Sequence, residues 1–310
     1  MKDSADQTKR LAYTLKKTNK NGAVIEQPFF LIGMEKIVIS QEYFIVKDTL
    51  SCGQVFRYSE YKNGYKIISK DKCAYCYNQN GFAVIECEKK DVDYFKHYFD
   101  TEKDYSLIYF EALKQGGIIE KSASLGKGIR ILNQDIEETL FSFMVSQNNN
   151  IPRIKSSIEK ICVGLGEKRI FDGEEYYTFP SIKKMATAPL EFYKSIGLGY
   201  RAEYIKGLAE RIDKGYNVVL LKDLELDRLK KELLTIKGVG EKVCDCVLFF
   251  GYGKTKSFPV DTWIEKVYRE DFKGKLTDRK KISEYFTKRF KENSGYIQQY
   301  LFHYKRNVEK

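Results

Sequence analysis

The feature that narrows the fold most is a change in the spacing of apolar residues part-way along the chain. From Glu35 to about Leu125 the pattern is strand-like. Ile37, Ile39, Tyr65, Ile67, Ala83 and Ile85 sit at alternating positions, and Asn63-Gly64 and Asn80-Gly81 mark turns. Successive side chains of a strand point to opposite faces, so this spacing predicts a twisted antiparallel sheet with one buried face. A short helix is expected near Asp91–Tyr98. From about Arg130 the period becomes helical. Asp135 can cap a helix in which Ile136, Leu140, Phe143 and Met144 share a face, and Ile154, Ile158 and Ile161 mark the next. Further helices are broken at Pro180, Gly197–Gly199, Gly238–Gly240 and Gly251–Pro259. The expectation is an α+β protein, with an N-terminal antiparallel β-sheet domain over 34–130 and an all-helical body over 131–310. Residues 1–33 read as an appendage. Its first part is polar and lysine-rich without a sustained period, which predicts disorder.

The balance of charge says what such a body could meet. There are 54 Lys+Arg against 43 Asp+Glu, a net charge of +11. This favours a polyanionic partner by steering, and equally describes a merely soluble basic protein. No apolar run approaches the roughly 18 residues of a membrane span, and the N-terminus does not resemble a secretory signal. The expected location is the cytoplasm, with nucleoid association through DNA. Seven irregularly spaced cysteines argue against a disulfide framework. Cys73 and Cys76 form a lone CxxC in a strand-like stretch, without the second pair a zinc site would need.

The most informative segment is Leu233-Leu-Thr-Ile-Lys-Gly-Val-Gly-Glu-Lys-Val-Cys-Asp-Cys-Val-Leu-Phe-Phe250. A helix ends near Ile236. The turn Lys237-Gly238-Val239-Gly240 is too glycine-rich to be helical, and a second helix starts at Glu241. Gly238 and Gly240 allow close backbone approach, and the N–H groups at the new helix start suit a DNA phosphate. Lys242 stands in the first turn of that helix, where the dipole disfavours a second positive charge. A neutral amine there would form a Schiff base with a sugar aldehyde. By residue type alone, however, Lys242 is an ordinary solvated lysine. Asp261 stands nineteen residues after Lys242, in the segment Phe258-Pro259-Val260-Asp261-Thr262-Trp263. Pro259 blocks helix and Asp261 can cap the helix Thr262–Tyr268. Asp261 is then either a cap alone or a fixed carboxylate able to stabilise a cationic sugar.

Together these residues resemble the glycine-rich hairpin and Gly/Pro…Asp loop of the helix-hairpin-helix DNA glycosylase superfamily, and within it the lysine-bearing 8-oxoguanine DNA glycosylase/AP-lyase family. The resemblance runs over residues 36–304 in separate blocks. Cys52-Gly53-Gln54-Val55-Phe56-Arg57 is similar to a family stretch in which the glycine carbonyl touches the lesion. Phe141 to Asn150 resembles the family's asparagine triplet, whose first member, here Asn148, fills the gap left by the extruded base. Arg153 stands where the family reads the orphaned partner base. In Gly197-Leu198-Gly199-Tyr200-Arg201-Ala202 the resemblance makes Tyr200 a wedge and Arg201 a second partner-base reader. In Gly295 to Phe302 it places Gln298 at the lesion's Watson–Crick edge and Phe302 on one face. Cys246, one turn after Lys242, would cover the other face, and Pro259 would join the pocket.

The resemblance implies a two-lobed helix-hairpin-helix glycosylase body and a bifunctional enzyme. It would flip 8-oxoguanine out of damaged double-stranded DNA, preferably opposite cytosine. Lys242 would displace the base, Asp261 would stabilise the sugar cation, and the strand would break by β-elimination. No cofactor is required, although the hairpin Lys237–Gly240 can hold a structural cation. A monomer with no membrane association is expected. The chain departs from the family at Trp263, where a histidine is usual, and at Lys305, where an acid is usual. Other readings are a glycosylase for another damaged purine and a non-catalytic helix-hairpin-helix DNA-binding module. Monofunctional and alkylation-specific relatives lack the lysine. The iron–sulfur branch needs four cysteines after the hairpin, and none follows Cys246.

Overall fold

The computed structural model describes residues 13–18, 24–29 and 33–308. β1 (Tyr13–Thr18) and β2 (Val24–Phe29) pair antiparallel. This corrects the expectation of disorder for those two segments, which are rich in the β-branched and aromatic residues that favour strands. The rest of the first 32 residues lies outside the described residues.

β3 (Met34–Ser40), β4 (Tyr58–Tyr61), β5 (Gly64–Ser69), β6 (Lys72–Gln79) and β7 (Phe82–Glu88) form one antiparallel sheet in the order β3-β7-β6-β5-β4. The two expected turns close β4–β5 and β6–β7. One face buries Ile37, Ile67, Ala83 and Ile85 against Phe95, Tyr98 and Phe99. The helix Val92–Tyr98 stands where the period placed it.

The strand-like stretch ends at Glu88, well before Leu125. Helices Tyr105–Leu113 and Gly117–Leu125 follow, the first capped by the Asp104 carboxylate accepting from Ser106 N at 2.9 Å. Their buried positions, Tyr105, Ile108, Ala112 and then Ile119, Ala123, have helical spacing. They join the core of the helical body and not that of the sheet. The division drawn by packing therefore differs from the boundary expected at 130.

The body is not purely helical either. Between helices Ile151–Leu165 and Ile182–Thr187 it carries a hairpin, β8 (Lys168–Phe171) and β9 (Glu174–Tyr177), turned at Asp172-Gly173. Its Phe171 and Tyr176 cover the outer face of the sheet at Ile68, Cys73, Tyr75, Tyr77 and Val84. Polar contacts fasten it: Arg169 to Asp71 at 3.2 Å, and the Tyr176 hydroxyl to Asp71 O at 2.9 Å.

A dense buried seam fixes sheet to body. Gln54 donates to Thr49 O (2.9 Å) and Arg130 O (2.7 Å) and accepts from Leu132 N (2.8 Å). Arg57 pairs with Glu138 at 3.2 Å, and Lys70 N donates to the other Glu138 oxygen at 2.6 Å. Buried ions need such partners. Gln54 and Arg57 both come from the Cys52–Arg57 stretch, so the same segment that holds the domains in register also carries Gly53 to the groove between them.

Candidate active site

Helix Leu226–Leu234 and helix Glu241–Phe250 form the hairpin, joined by Lys230, which pairs with Asp245 (2.9 Å) and Glu241 (3.0 Å). Gly238 has φ +90, and a Cβ there would stand 2.5 Å from the Tyr204 ring, so the turn needs glycine. Gly240 is the N-cap and has no side chain to cap the helix. The first-turn N–H groups are thus left for an external acceptor. Among the described residues the carbonyls of 237–239 accept no hydrogen bond.

Lys242 extends from this helix start. Its amine donates to Ser146 Oγ at 3.3 Å and lies 5.0 Å from the Phe143 ring centroid. Asp261 caps helix Thr262–Glu270, accepting from Ile264 N at 2.9 Å. Burial raises the pKa of its carboxyl above the usual aspartate value, against the opposing pull of the Ile264 N–H and the Lys242 charge. The two groups make no ion pair within 4.0 Å but line the same small cavity. Amine and carboxyl therefore face one space without touching.

That cavity is about 50 Å³ and is walled by Gly53, Lys242, Cys246, Pro259, Asp261, Gln298 and Phe302 among others. Cys246 is buried, and burial pushes its thiol up to about 11, so it is a neutral wall at physiological pH. Gln298 donates to Pro259 O at 3.1 Å, and its Oε1 is buried without a partner. Gly53 has φ +88, and a Cβ there would stand 3.0 Å from Phe302 Cε1. The carbonyls on either side are taken, Cys52 O by Gln299 (2.6 Å) and Gln54 O by Gln134 (2.7 Å). The Gly53 carbonyl accepts nothing among the described residues. The cavity opens beside a groove of about 1260 Å³ that also contacts Lys242 and Asp261.

Residues 36–140 match the 8-oxoguanine DNA glycosylase N-terminal domain, and residues 141–292 match the HhH-GPD superfamily of base excision DNA repair proteins. The Clostridium acetobutylicum 8-oxoguanine glycosylase/lyase, solved in complex with double-stranded DNA containing cytosine opposite 8-oxoG, has a TM-score of 0.83 and 35% identity. The match covers 87% of this chain and 94% of that one. The chain belongs to the 8-oxoguanine DNA glycosylase family. Two further relatives of this family member are a probable N-glycosylase/DNA lyase of Methanothermobacter thermautotrophicus and the N-glycosylase/DNA lyase of Saccharomyces cerevisiae. The first is 29% identical over 67% of this chain and 71% of its own length. The second is 28% identical over 76% of this chain and 70% of its own length.

In this 8-oxoguanine glycosylase family member the expected DNA-facing residues divide. Asn148 and Tyr200 line the groove; Asn148 is exposed with φ +44, and Tyr200 is 51% exposed. The other two asparagines are spent locally: Asn149 bonds Val145 O at 3.1 Å, and Asn150 caps helix Ile151–Leu165. Arg153 is exposed at the start of that helix and does not line the groove. Arg201 is held by the protein backbone. It is buried, and its guanidinium donates to the carbonyls of Gln147 (2.8 Å), Asn148 (2.9 Å) and Leu198 (3.3 Å). Through these bonds it braces the loop that presents Asn148.

The departures from the family pattern also find places. Trp263 lines the groove next to Asp261. Lys305 is buried and pairs with Glu270 (2.7 Å) and Asp271 (3.2 Å). Ser146, Arg279 and Arg306, which the sequence did not mark, line the groove, as does Phe143, which it marked only as part of an apolar helix face. For Arg306 a signal existed: it stands four residues after Phe302, the spacing of one helix face.

Proposed function

We propose that this protein excises 8-oxoguanine from duplex DNA, preferentially opposite cytosine, and then cuts the strand at the abasic site. The observation that carries the reading is the meeting of Lys242 and Asp261 at a pocket whose remaining polar atoms, Gly53 O and Gln298 Oε1, lack protein partners. The target nucleotide must leave the stack for its C1′ to be reached. Tyr200 would wedge the duplex open and Asn148 would fill the vacated space, with Arg153 near the partner strand. The hairpin at Gly238 and Gly240 would hold a phosphate, and its unaccepted carbonyls could seat a structural cation.

The neutral amine of Lys242 attacks C1′ as the C1′–N9 bond breaks, and the departing base keeps that electron pair and takes up a proton. Asp261, as a carboxylate, stabilises the cationic sugar. The aminal opens to an imine, which acidifies the C2′ hydrogen. Loss of that proton expels the 3′ phosphate and leaves the enzyme bound to the sugar through Lys242 until water releases it. No redox step occurs, and no organic cofactor enters the balance. Gly53 O would distinguish the lesion from guanine, because oxidation at C8 turns N7 from an acceptor into a donor. Between Cys246 and Phe302 the base would be sandwiched, with Gln298 at its pairing edge.

Borohydride trapping tests this directly. The chain should form a covalent adduct with duplexes carrying 8-oxoguanine opposite cytosine, more slowly with adenine as partner, and not with undamaged duplex. Binding without base release or adduct would instead favour the non-catalytic module.

A further inference from the structure

We propose that Arg306 is a further lesion-recognising residue, donating to the oxygen that 8-oxoguanine carries at C8. The inference rests on the function proposed above and deepens it. Arg306 lies one turn after Phe302 on helix Ser294–Val308. It is 9% exposed and lines the groove together with Gly53, Lys242, Asp261 and Phe302. Its guanidinium stands 5.3 Å from the Phe302 ring centroid, and Nη2 donates to Ser51 O. Nε and Nη1 are buried and have no hydrogen-bond partner. A guanidinium cannot shed its proton to escape such a position, so its buried donors call for an acceptor that arrives with the ligand.

Where the acceptor must sit follows from the neighbours. Nη1 is 3.5 Å from the place a Cβ on Gly53 would occupy. An unpartnered donor therefore adjoins the residue whose carbonyl is an unpartnered acceptor. This acceptor–donor pair matches one edge of one base. In 8-oxoguanine the N7–H donor and the C8 oxygen are on adjacent ring atoms. Undamaged guanine has an N7 acceptor and a C8–H in the same places, so it would repel the Gly53 carbonyl and offer Arg306 no acceptor at C8. Oxidation of the base is thus read twice, at N7 by the backbone and at the C8 oxygen by Arg306.

A DNA phosphate is the rival acceptor. It fits less well, because the free nitrogens are closed off from solvent with Phe302 against the guanidinium, and phosphates run along the open groove. Phe302 must also move for any base to enter. Its ring now lies against Gly53, and the cavity of about 50 Å³ holds a few waters, not a purine. The group that displaces Phe302 is the group that meets Arg306.

The test compares single-turnover base release from 8-oxoguanine and 8-thioguanine, with cleavage of a pre-formed abasic site as a third substrate. The thio base keeps the N7 proton and replaces the oxygen with a weak acceptor. Arg306→Met should slow 8-oxoguanine release by roughly 10- to 100-fold, the loss typical of a hydrogen bond to a charged group. It should change 8-thioguanine release and abasic-site cleavage by no more than about threefold, well below one such bond. Arg306→Lys, which keeps a cationic donor, should recover part of the 8-oxoguanine rate. Thermal unfolding midpoints of both variants separate lost recognition from lost folding. Equal slowing on all three substrates would assign Arg306 to phosphate or scaffold, and no slowing would remove it from recognition; either result overturns the proposal. A wild-type chain that releases no 8-oxoguanine overturns the proposed function, and this inference with it.

Discussion

Two buried glutamines far apart in the chain show how differently this molecule treats its seam and its pocket. Gln54, in the seam between sheet and helical body, uses its amide in both directions: Nε2 bonds Thr49 O and Arg130 O, and Oε1 accepts from Leu132 N. Around it Arg57 bonds Glu138 and the carbonyls of Lys70 and Tyr177, with Nε left over, and Lys70 N fills the second Glu138 oxygen. Gln298, in the pocket, satisfies its amide N–H on Pro259 O and leaves Oε1 buried and bare. Two nitrogens of Arg306 share that condition, and the Gly53 carbonyl is also without a partner among the described residues. A saturated polar cluster rigidifies a fold, whereas an unsaturated one costs stability until a ligand completes it. Gln54 is thus spent on the fold, and Gln298 keeps an open acceptor where a base would enter.

The sharpest way to break that contrast is at Lys242. Lys242→Gln should reduce base release and imine trapping to background while lesion-duplex binding and the unfolding midpoint stay near wild type. An adduct forming undiminished would take the nucleophile's role away from this residue. The seam should respond in the opposite sense. Glu138→Ala strands the buried Arg57 charge and should cost about 3–5 kcal/mol of stability in denaturant unfolding. Gln298→Ala should cost under about 1 kcal/mol, since it also removes an unpaired acceptor, and should act instead on lesion affinity. Equal stability losses at the two sites would mean that the pocket is as much a part of the scaffold as the seam.

Asp261 belongs to both regimes, being a helix cap and a site carboxylate, and its pH response separates them. Its folded pKa is raised by burial. The carboxylate is the form that stabilises the sugar, so single-turnover base release should fall on acidification, with a limb above the usual aspartate range. For stability the sign is reversed. The folded state holds this proton more tightly than the unfolded chain, so the contribution is complete below the unfolded pKa and lost as pH rises through the folded one. Asp261→Asn keeps a capping side chain and stays neutral. Relative to wild type it should gain stability between acid and neutral pH, while base release drops about 100-fold or more. A variant losing stability at neutral pH would show that the ionised carboxylate supports the fold after all.

Much of the site is legible in the amino-acid sequence, and the reason is local. The helix start at Glu241, the cap at Asp261 and the positive φ at Gly53 are each set within a few residues by glycine, proline and capping chemistry. The stretch 105–125 resists such a reading because Tyr105–Leu113 is apolar on most sides, with Leu107 and Phe110 exposed and Ile108 and Ala112 buried, so that no single face marks it as a helix. The Asp172-Gly173 hairpin is equally hard to see in sequence, because its four-residue strands are buried only against the distant outer face of the sheet.

Composition, period and turn chemistry determined on their own that this chain would place a β-sheet before a helical body, with Lys242 and Asp261 each at the first turn of a helix. Which polar groups remain free for a ligand was decided only by the tertiary structure. Gln299 reaches Cys52, 247 residues away, and Arg306 reaches Ser51, 255 residues away. Arg201 donates to the carbonyls of Gln147 and Asn148, 54 and 53 residues away. A side chain's hydrogen-bonding capacity is written in its residue type, but whether it is already spent depends on partners that only folding brings within about 3 Å.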